Sequence, residues 1–409
     1  MPSATPMPIR QAIWEAARGG ADATTLAARF DRPVRTVRHL LRCFRAAGAQ
    51  VVAPAYRPGR NSPCAGADLV DFALSLRQLH PRWGAGMLRV QLARRFPAAT
   101  LPHPRTIQRW LRQAALPAAP PGRKHVPRRR ATVAHETWQV DASDQMRLAS
   151  GAALSWLRLT DEHSGAILLT GVFPGVWNKV AMAMAQNTQR DGFERWGLPG
   201  CLRLDNGYPW GNWSELPTAL ALWLVGLGVP VVFNPPRRPR DNGVVERSHG
   251  VTKDWAEIET CQSVAEARAR VSDMDQIQRQ EYRLRNGKTR WEMFAELRVK
   301  RREYSRSWEE ENWQESLARG YLGEQVASRQ VDSQGKVSVY ARSYYVGVMH
   351  KHRRALVQYD PEAGQWLFSD ETGAQWCRLQ AEQITAARIR SLNVSAKPSH
   401  NDGKTSCRY

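Results

Sequence analysis

Apolar residues return every three or four positions near the start of the chain, at Ile9, Ala12, Ile13 and Ala16, at Leu26, Ala27 and Phe30, and at Val34, Val37, Leu40 and Leu41. That period predicts three short helices over residues 8–47 with helix-turn-helix spacing. Asp31-Arg32-Pro33 breaks the second helix, and Pro33 suits the first turn of the third. The polar face of the third shows Arg35, Arg38, His39 and Arg42, side chains suited to phosphates and major-groove base edges. A second unit of the same kind is expected over 67–79, 84–96 and 104–114. Its last helix turns Ile107, Trp110 and Leu111 inward and Arg105, Gln108, Arg109 and Arg112 outward.

Residues 116–130 are too rich in proline to pack as a regular element and read as a semi-rigid basic linker ending in Arg128, Arg129 and Arg130. Beyond it the pattern becomes alternating strand and helix. Strands are expected over 136–142, 155–161, 166–173, 200–204 and 230–233, with helices over 178–196 and 216–227 and a long helix capped near Asp241. Residues 263–319 are helical and highly charged. The short β-branched or aromatic segments 337–340, 344–346, 354–359, 365–369 and 374–379 suggest a small β-barrel.

The expected fold is multidomain, with all-α helix-turn-helix units in front, an α/β core with a mixed sheet, and a small β-barrel behind. The divisions fall at 1–50, 60–115, 116–130 (linker), 131–262 (core), 263–325 (helical connector), 326–385 (barrel) and 386–409 (polar tail). A chain of 409 residues has room for such an arrangement.

The net charge of +21 points to a polyanion as partner. Residues 1–130 hold 23 Lys and Arg against 5 Asp and Glu, a net of +18, which leaves +3 for the rest. No long apolar run and no signal-peptide pattern accompanies that charge, so double-stranded DNA is the expected partner, without a membrane, in a cytoplasmic, nucleoid-associated protein. The six cysteines are scattered, with no Cys-x-x-Cys pair, and suggest no structural zinc.

Three acids stand in distinctive settings. Asp141 follows Trp-Gln-Val, Asp205 sits in Leu-Arg-Leu-Asp-Asn-Gly, and Glu246 lies in Asn-Gly-Val-Val-Glu-Arg. The first two are expected at strand ends, where open α/β sheets place their sites. Glu246 shares a helix face with His249, Gly250 and Lys253. Three carboxylates in one place suit hard divalent cations. Asp144, Asp161 and Glu162 are competing acids, read here as structural. Most of the tryptophans, such as Trp110, Trp223 and Trp255, fall on apolar stripes and read as core. Trp210 and Trp213, in a polar loop, are candidates for stacking on a base.

The ordered set Trp-Gln-Val-Asp, Leu-Asp-Asn-Gly and Pro-x-x-x-Asn-Gly-Val-Val-Glu-Arg resembles the catalytic core of the integrase-like DDE transposases, most specifically over residues 130–260. The paired helix-turn-helix units resemble those of bacterial insertion-sequence transposases, and residues 327–380 the small β-barrel of Mu-type transposases. The stretch between Asp205 and Glu246 is longer than is usual in the family, the excess falling at residues 208–217.

The resemblance implies an RNase H-like fold, with Asp141, Asp205 and Glu246 as catalytic and metal-binding residues for two Mg²⁺ or Mn²⁺ ions per site. It further implies 3′-end cleavage and strand transfer into target DNA by a homo-oligomer, a dimer or tetramer. Arg247 and Lys253 are expected to contact DNA near the cut. Some transposases with Mu-like barrels work with an ATPase partner, although no segment here is dedicated to that contact. Two alternatives remain at this point. One is a sequence-specific DNA-binding regulator with a catalytically silent core, and the other a nuclease that cuts without joining.

Overall fold

The computed structural model describes residues 5–48, 66–116, 131–205, 207, 209–211, 216–234, 242–284 and 286–395. The chain divides into two compact units, residues 1–66 and 67–409. The linker arginines Arg128, Arg129 and Arg130, together with Trp213 and Asp241, lie outside the described residues.

The first unit is a trihelical bundle of α1 (Met7–Arg18), α2 (Ala23–Arg29) and α3 (Val34–Ala47). The apolar stripes meet as the sequence predicts, with Ile13, Leu26, Val37, Leu40 and Phe44 buried and Trp14 edge-on to Phe44 at 5.2 Å. Asp22 caps α2 by accepting from the Thr25 amide at 2.8 Å. Asp31 takes φ of 48°, the turn that swings the chain into α3.

The second unit begins with another three helices, α4 (Ala67–Leu79), α5 (Ala85–Arg95) and α6 (Pro104–Gln113). Leu69, Ala73, Leu88, Leu92, Ile107 and Leu111 make their core. Trp110, expected on the inward stripe, is half-buried.

A mixed five-stranded sheet follows, built from β1 (Thr137–Arg147), β2 (Ala153–Asp161), β3 (Ile167–Pro174), β4 (Cys201–Leu204) and β5 (Val231–Phe233). The strand order is β3-β2-β1-β4-β5. β1, β2 and β3 form an antiparallel meander, whereas β4 and β5 run parallel to β1. β1 is longer than the sequence suggests. It runs past Ala142 through a register shift between Ser143 and Met146, where Gln145 takes φ of 68°.

On one face of the sheet lie α7 (Met182–Trp196) and α8 (Ala219–Gly226), packed through Trp138, Phe193 and Trp223. The other face carries α9 (Gly243–Ala256) and α10 (Val264–Gln276), the latter running into a π-helical turn at Ile277–Glu281. Asn242, with no capping side-chain bond, precedes α9. α10 is no mere connector. Ala267, Val271, Met274 and Ile277 are buried, and Arg268 donates to the Val172 carbonyl of β3 at 3.0 Å.

The short helices α11 (Arg290–Met293), α12 (Arg306–Asn312) and α13 (Glu315–Gly323) wrap the α7–α8 side. Glu309 of α12 is buried there and accepts from Arg190, Tyr304 and the Trp223 indole. The C-terminal strands are β6 (Val326–Gln330), β7 (Lys336–Val339), β8 (Arg342–Tyr345), β9 (Arg354–Asp360), β10 (Gln365–Ser369) and β11 (Gln375–Gln380). Their ladders form a four-stranded sheet, β11-β10-β9-β6, and a separate β7-β8 pair, rather than the closed barrel expected. Residues 386–390, grouped with the polar tail on sequence, form α14 (Ala386–Arg390), which buries Ile389.

Candidate active site

Parallel pairing of β1 with β4 ends at Val140 opposite Leu204. The next residue on each strand is an aspartate, Asp141 on one and Asp205 on the other. Side chains alternate across a sheet. Trp138 and Val140 therefore fill the α7 side, while Gln139 and Asp141 face α9. Gln139 shows this directly, since its Oε1 accepts the Val245 amide in the first turn of α9 at 3.1 Å. Arg203 pairs with Gln139 in register, and continuing the alternation puts Asp205 on the same face as Asp141.

Under this face lies a buried polar framework. Glu162, fully buried, accepts from Gln139 at 2.9 Å, from Arg203 at 3.0 Å and from the Ala131 amide at 3.2 Å. It ties β1, β4 and the segment entering β1 together. Asp161 accepts from the His135 amide and from Ser164, and Asp144 Oδ1 accepts from the Gln145 amide at 2.8 Å within the β1 irregularity. Asp161 and Glu162 are thus held by buried bonds, whereas Asp144, among the described residues, bonds only the next amide and its charge also acts on Lys253.

Asp141 sits opposite Arg158 of β2. Burial pushes its carboxyl up to about 7, against the opposing pull of a backbone hydrogen bond from Ala142 and the positive charges of Lys253 and Arg158. Arg158 is fully buried, and burial brings its guanidinium down to about 10, so it stays charged near neutrality. It reaches Thr170 Oγ1 at 3.0 Å, Ser248 Oγ at 3.4 Å and Asp275 Oδ1 at 3.4 Å, and lies over the Trp156 ring.

α9 lays its polar face on this row. His249 is nearly buried. Its Nδ1 accepts the Trp156 indole N–H at 2.7 Å, and its Nε2 lies 3.4 Å from Asp141 Oδ2. Burial, with the charges of Arg158 and Lys253, holds the imidazole well below its usual pKa. Lys253, one turn further on, is depressed chiefly by burial and then by Arg158, and is drawn back up by Asp141 and Asp144. Glu246, exposed, stands one turn before His249 on the same helix, and Arg247 beside it is exposed too.

The structure thus sets Asp141 and Asp205 each one residue past the last β1–β4 pair and puts Glu246 on the helix packed over β1. It does not gather the three carboxylates into one cluster. Among the described residues no three His, Cys, Asp or Glu side chains stand together as ligands for a metal ion.

Of the candidate DNA contacts, Arg35, Arg38, His39 and Arg42 are exposed on α3, and Arg105, Gln108, Arg109 and Arg112 on α6. The base-stacking expectation for Trp210 is overturned. The indole is only 2% exposed and stacks on Trp177 at 5.9 Å, held because its carbonyl accepts from Thr218 Oγ1. Sequence reasoning missed Arg158, Trp156 and Asp275. Arg158 hides in an apolar-looking strand, Leu-Arg-Leu-Thr, and only its even spacing from Trp156 and Thr160 could have shown that it shares their face.

No protein-family model matches the chain. Among solved structures the chain is similar to the catalytic core domain of bovine immunodeficiency virus integrase, with 20% identity and a TM-score of 0.31 over 40% of this chain and 95% of that one. The HTLV-2 integrase catalytic core in complex with magnesium is 16% identical, TM-score 0.31, over 40% of this chain and 99% of that one. A chain of the simian T-cell lymphotropic virus intasome in complex with PP2A regulatory subunit B56 gamma is 15% identical, TM-score 0.34, over 75% of this chain and 98% of that one.

Proposed function

We propose that the chain is a DNA transposase, a divalent-metal-dependent polynucleotidyl transferase that cuts at transposon ends and joins them to target DNA. The observation that carries this reading is the placement of Asp141 and Asp205 directly after the last residue pair of two parallel strands, with the helix that bears Glu246 packed on the first of them. The mixed sheet flanked by helices fits the RNase H-like core that the sequence resemblance implies.

The donor set fits Mg²⁺ or Mn²⁺. It consists of carboxylate oxygens, and at Asp141 burial makes a bare negative charge costly, a cost that a bound cation would offset. Asp141, Asp205 and Glu246 would hold the ions, two per site, and bound ions would activate the attacking oxygen and stabilise the leaving one.

The chain's own residues position and neutralise. Arg158 supplies a fixed positive charge beside Asp141. Lys253 and Arg247, on the α9 helix, face the phosphates of the strand being cut. Arg35, Arg38, His39 and Arg42 on α3, with Arg105, Gln108, Arg109 and Arg112 on α6 and the linker Arg128, Arg129 and Arg130, hold the DNA ends. Joining two ends to one target needs two active sites, hence a dimer or tetramer.

The test uses purified protein, DNA carrying the repeats that bracket its coding region, Mg²⁺ or Mn²⁺, and a supercoiled target. Joined products that vanish with Asp205→Asn and with Glu246→Gln support the proposal. Specific binding of the ends with no metal-dependent cutting would sink it in favour of a DNA-binding regulator, and cutting without joining in favour of a nuclease.

A further inference from the structure

We propose that His249 is a positioning residue that fixes the carboxylate of Asp141, in a tautomer set by Trp156. The inference rests on the reading of Asp141 as a metal ligand. Its basis is a chain of two contacts. The Trp156 indole is a donor only, and it lies 2.7 Å from His249 Nδ1. Nδ1 must therefore offer its lone pair, and the neutral ring carries its proton on Nε2.

That Nε2 is buried and has no hydrogen-bond partner among the described residues. The His249 side chain is 8% exposed, and Asp141 Oδ2, at 3.4 Å, is the acceptor it faces. A buried donor left unpaired is unfavourable, so a small closing movement toward the carboxylate is favoured. With its proton on Nε2, the ring has no free lone pair toward the site, so it acts as a donor rather than as a ligand.

Around Asp141, three of the guanidinium N–H groups of Arg158 go to Thr170, Ser248 and Asp275, and the Ala142 amide bonds the carboxylate from its own strand, so His249 is the side chain that α9 brings within 3.4 Å of it. The same stretch of α9 then carries both Glu246 and the group that grips Asp141, which couples the first and third acids through one helix. Outer groups that orient a ligating carboxylate commonly change metal affinity by about 10–100-fold when removed.

The test uses the full chain. Histidine-selective ¹⁵N labelling reads the tautomer by NMR, with the His249 signal assigned by its loss in His249→Gln. A proton on Nε2 is expected, and a proton on Nδ1 overturns the inference without any variant having to fold. Mn²⁺ binding, followed by electron paramagnetic resonance of the free ion, is compared among variants. His249→Phe, which keeps a ring and loses the donor, is expected to weaken binding about tenfold or more. His249→Gln, whose amide N–H can replace the Nε2 donor, is expected to recover most of it.

If His249→Phe binds Mn²⁺ as the wild type does while Asp141→Asn and Asp205→Asn lose it, the positioning role fails and the metal site stands. If Asp141→Asn, Asp205→Asn and Glu246→Gln all bind as the wild type does, the metal-site reading itself fails, and this inference with it.

Discussion

Asp141 concentrates the cost of the site in one carboxyl. Its ordinary value of 3.8 rises to about 7 in the folded chain, so the folded state holds the proton more tightly than the unfolded state does. The associated stability is therefore fully present below about pH 4 and is lost as pH rises through about 7. Asp141→Asn, which cannot ionise, is expected to stabilise the metal-free chain at pH 8 by about 2–3 kcal/mol, and by much less at pH 4. Thermal melts at the two pH values check this, and an equal gain at both would refute it. Glu162 is the opposite case, an acid whose charge is matched. Glu162→Leu strips the buried Arg203 of its partner and is expected to cost about 3–5 kcal/mol in denaturant unfolding. A loss under 1 kcal/mol would show that the pair is dispensable.

At the scale of elements, close packing rests on where side chains are missing. A Cβ on Gly226, in the last turn of α8, would lie 2.2 Å from the Trp313 ring, whose indole donates to the Trp223 carbonyl. Gly226→Ala should destabilise by about 1–3 kcal/mol, read as a lowered melting temperature, while an unchanged melt would mean that Trp313 swings clear at little cost. Elements with a strong period were legible in the sequence, α4 to the residue and the core strands to within a few positions. What escaped was set by tertiary contacts. β1 continues through Ser143-Asp144-Gln145 because its ladder with β2 absorbs an irregularity, and no local pattern announces that. α10 looked like a charged connector because the residues it buries are few and partly small. β6 was passed over, and the C-terminal strands looked like a barrel because spacing reveals strands but not whether a ladder closes. Asp141 and Asp205 were legible from their motifs. The row from Asp141 through Arg158 to Thr170 was not, because it exists only across three strands.

For the whole molecule, the surplus of positive charge lies in the first 130 residues, +18 of +21. Under the proposed function it governs grip on DNA. Replacing Arg105 and Arg109 by Ala should lower the slope of log affinity against log salt by about 2, measured by titrating labelled duplex at several salt concentrations. An unchanged slope would place both side chains away from phosphate.

The α4–α6 bundle is also clamped to the core. Trp83 donates to the Trp255 carbonyl at 2.9 Å and His80 meets Glu257 at 2.6 Å, both at the C-terminal end of α9, while Arg94 bridges Asp273 and Glu281. The other end of the same 14-residue helix carries Glu246. α9 therefore works as a ruler that sets Glu246 roughly 14 Å from the clamp at Trp255, at 1.5 Å per residue. Under the proposed function, in which α6 reads the DNA end, the step from reading it to cutting it is then set by a rod rather than a tether. Base pairs inserted between the sequence that α6 reads and the scissile bond should then shift the cut within the element while leaving its distance from the read sequence unchanged.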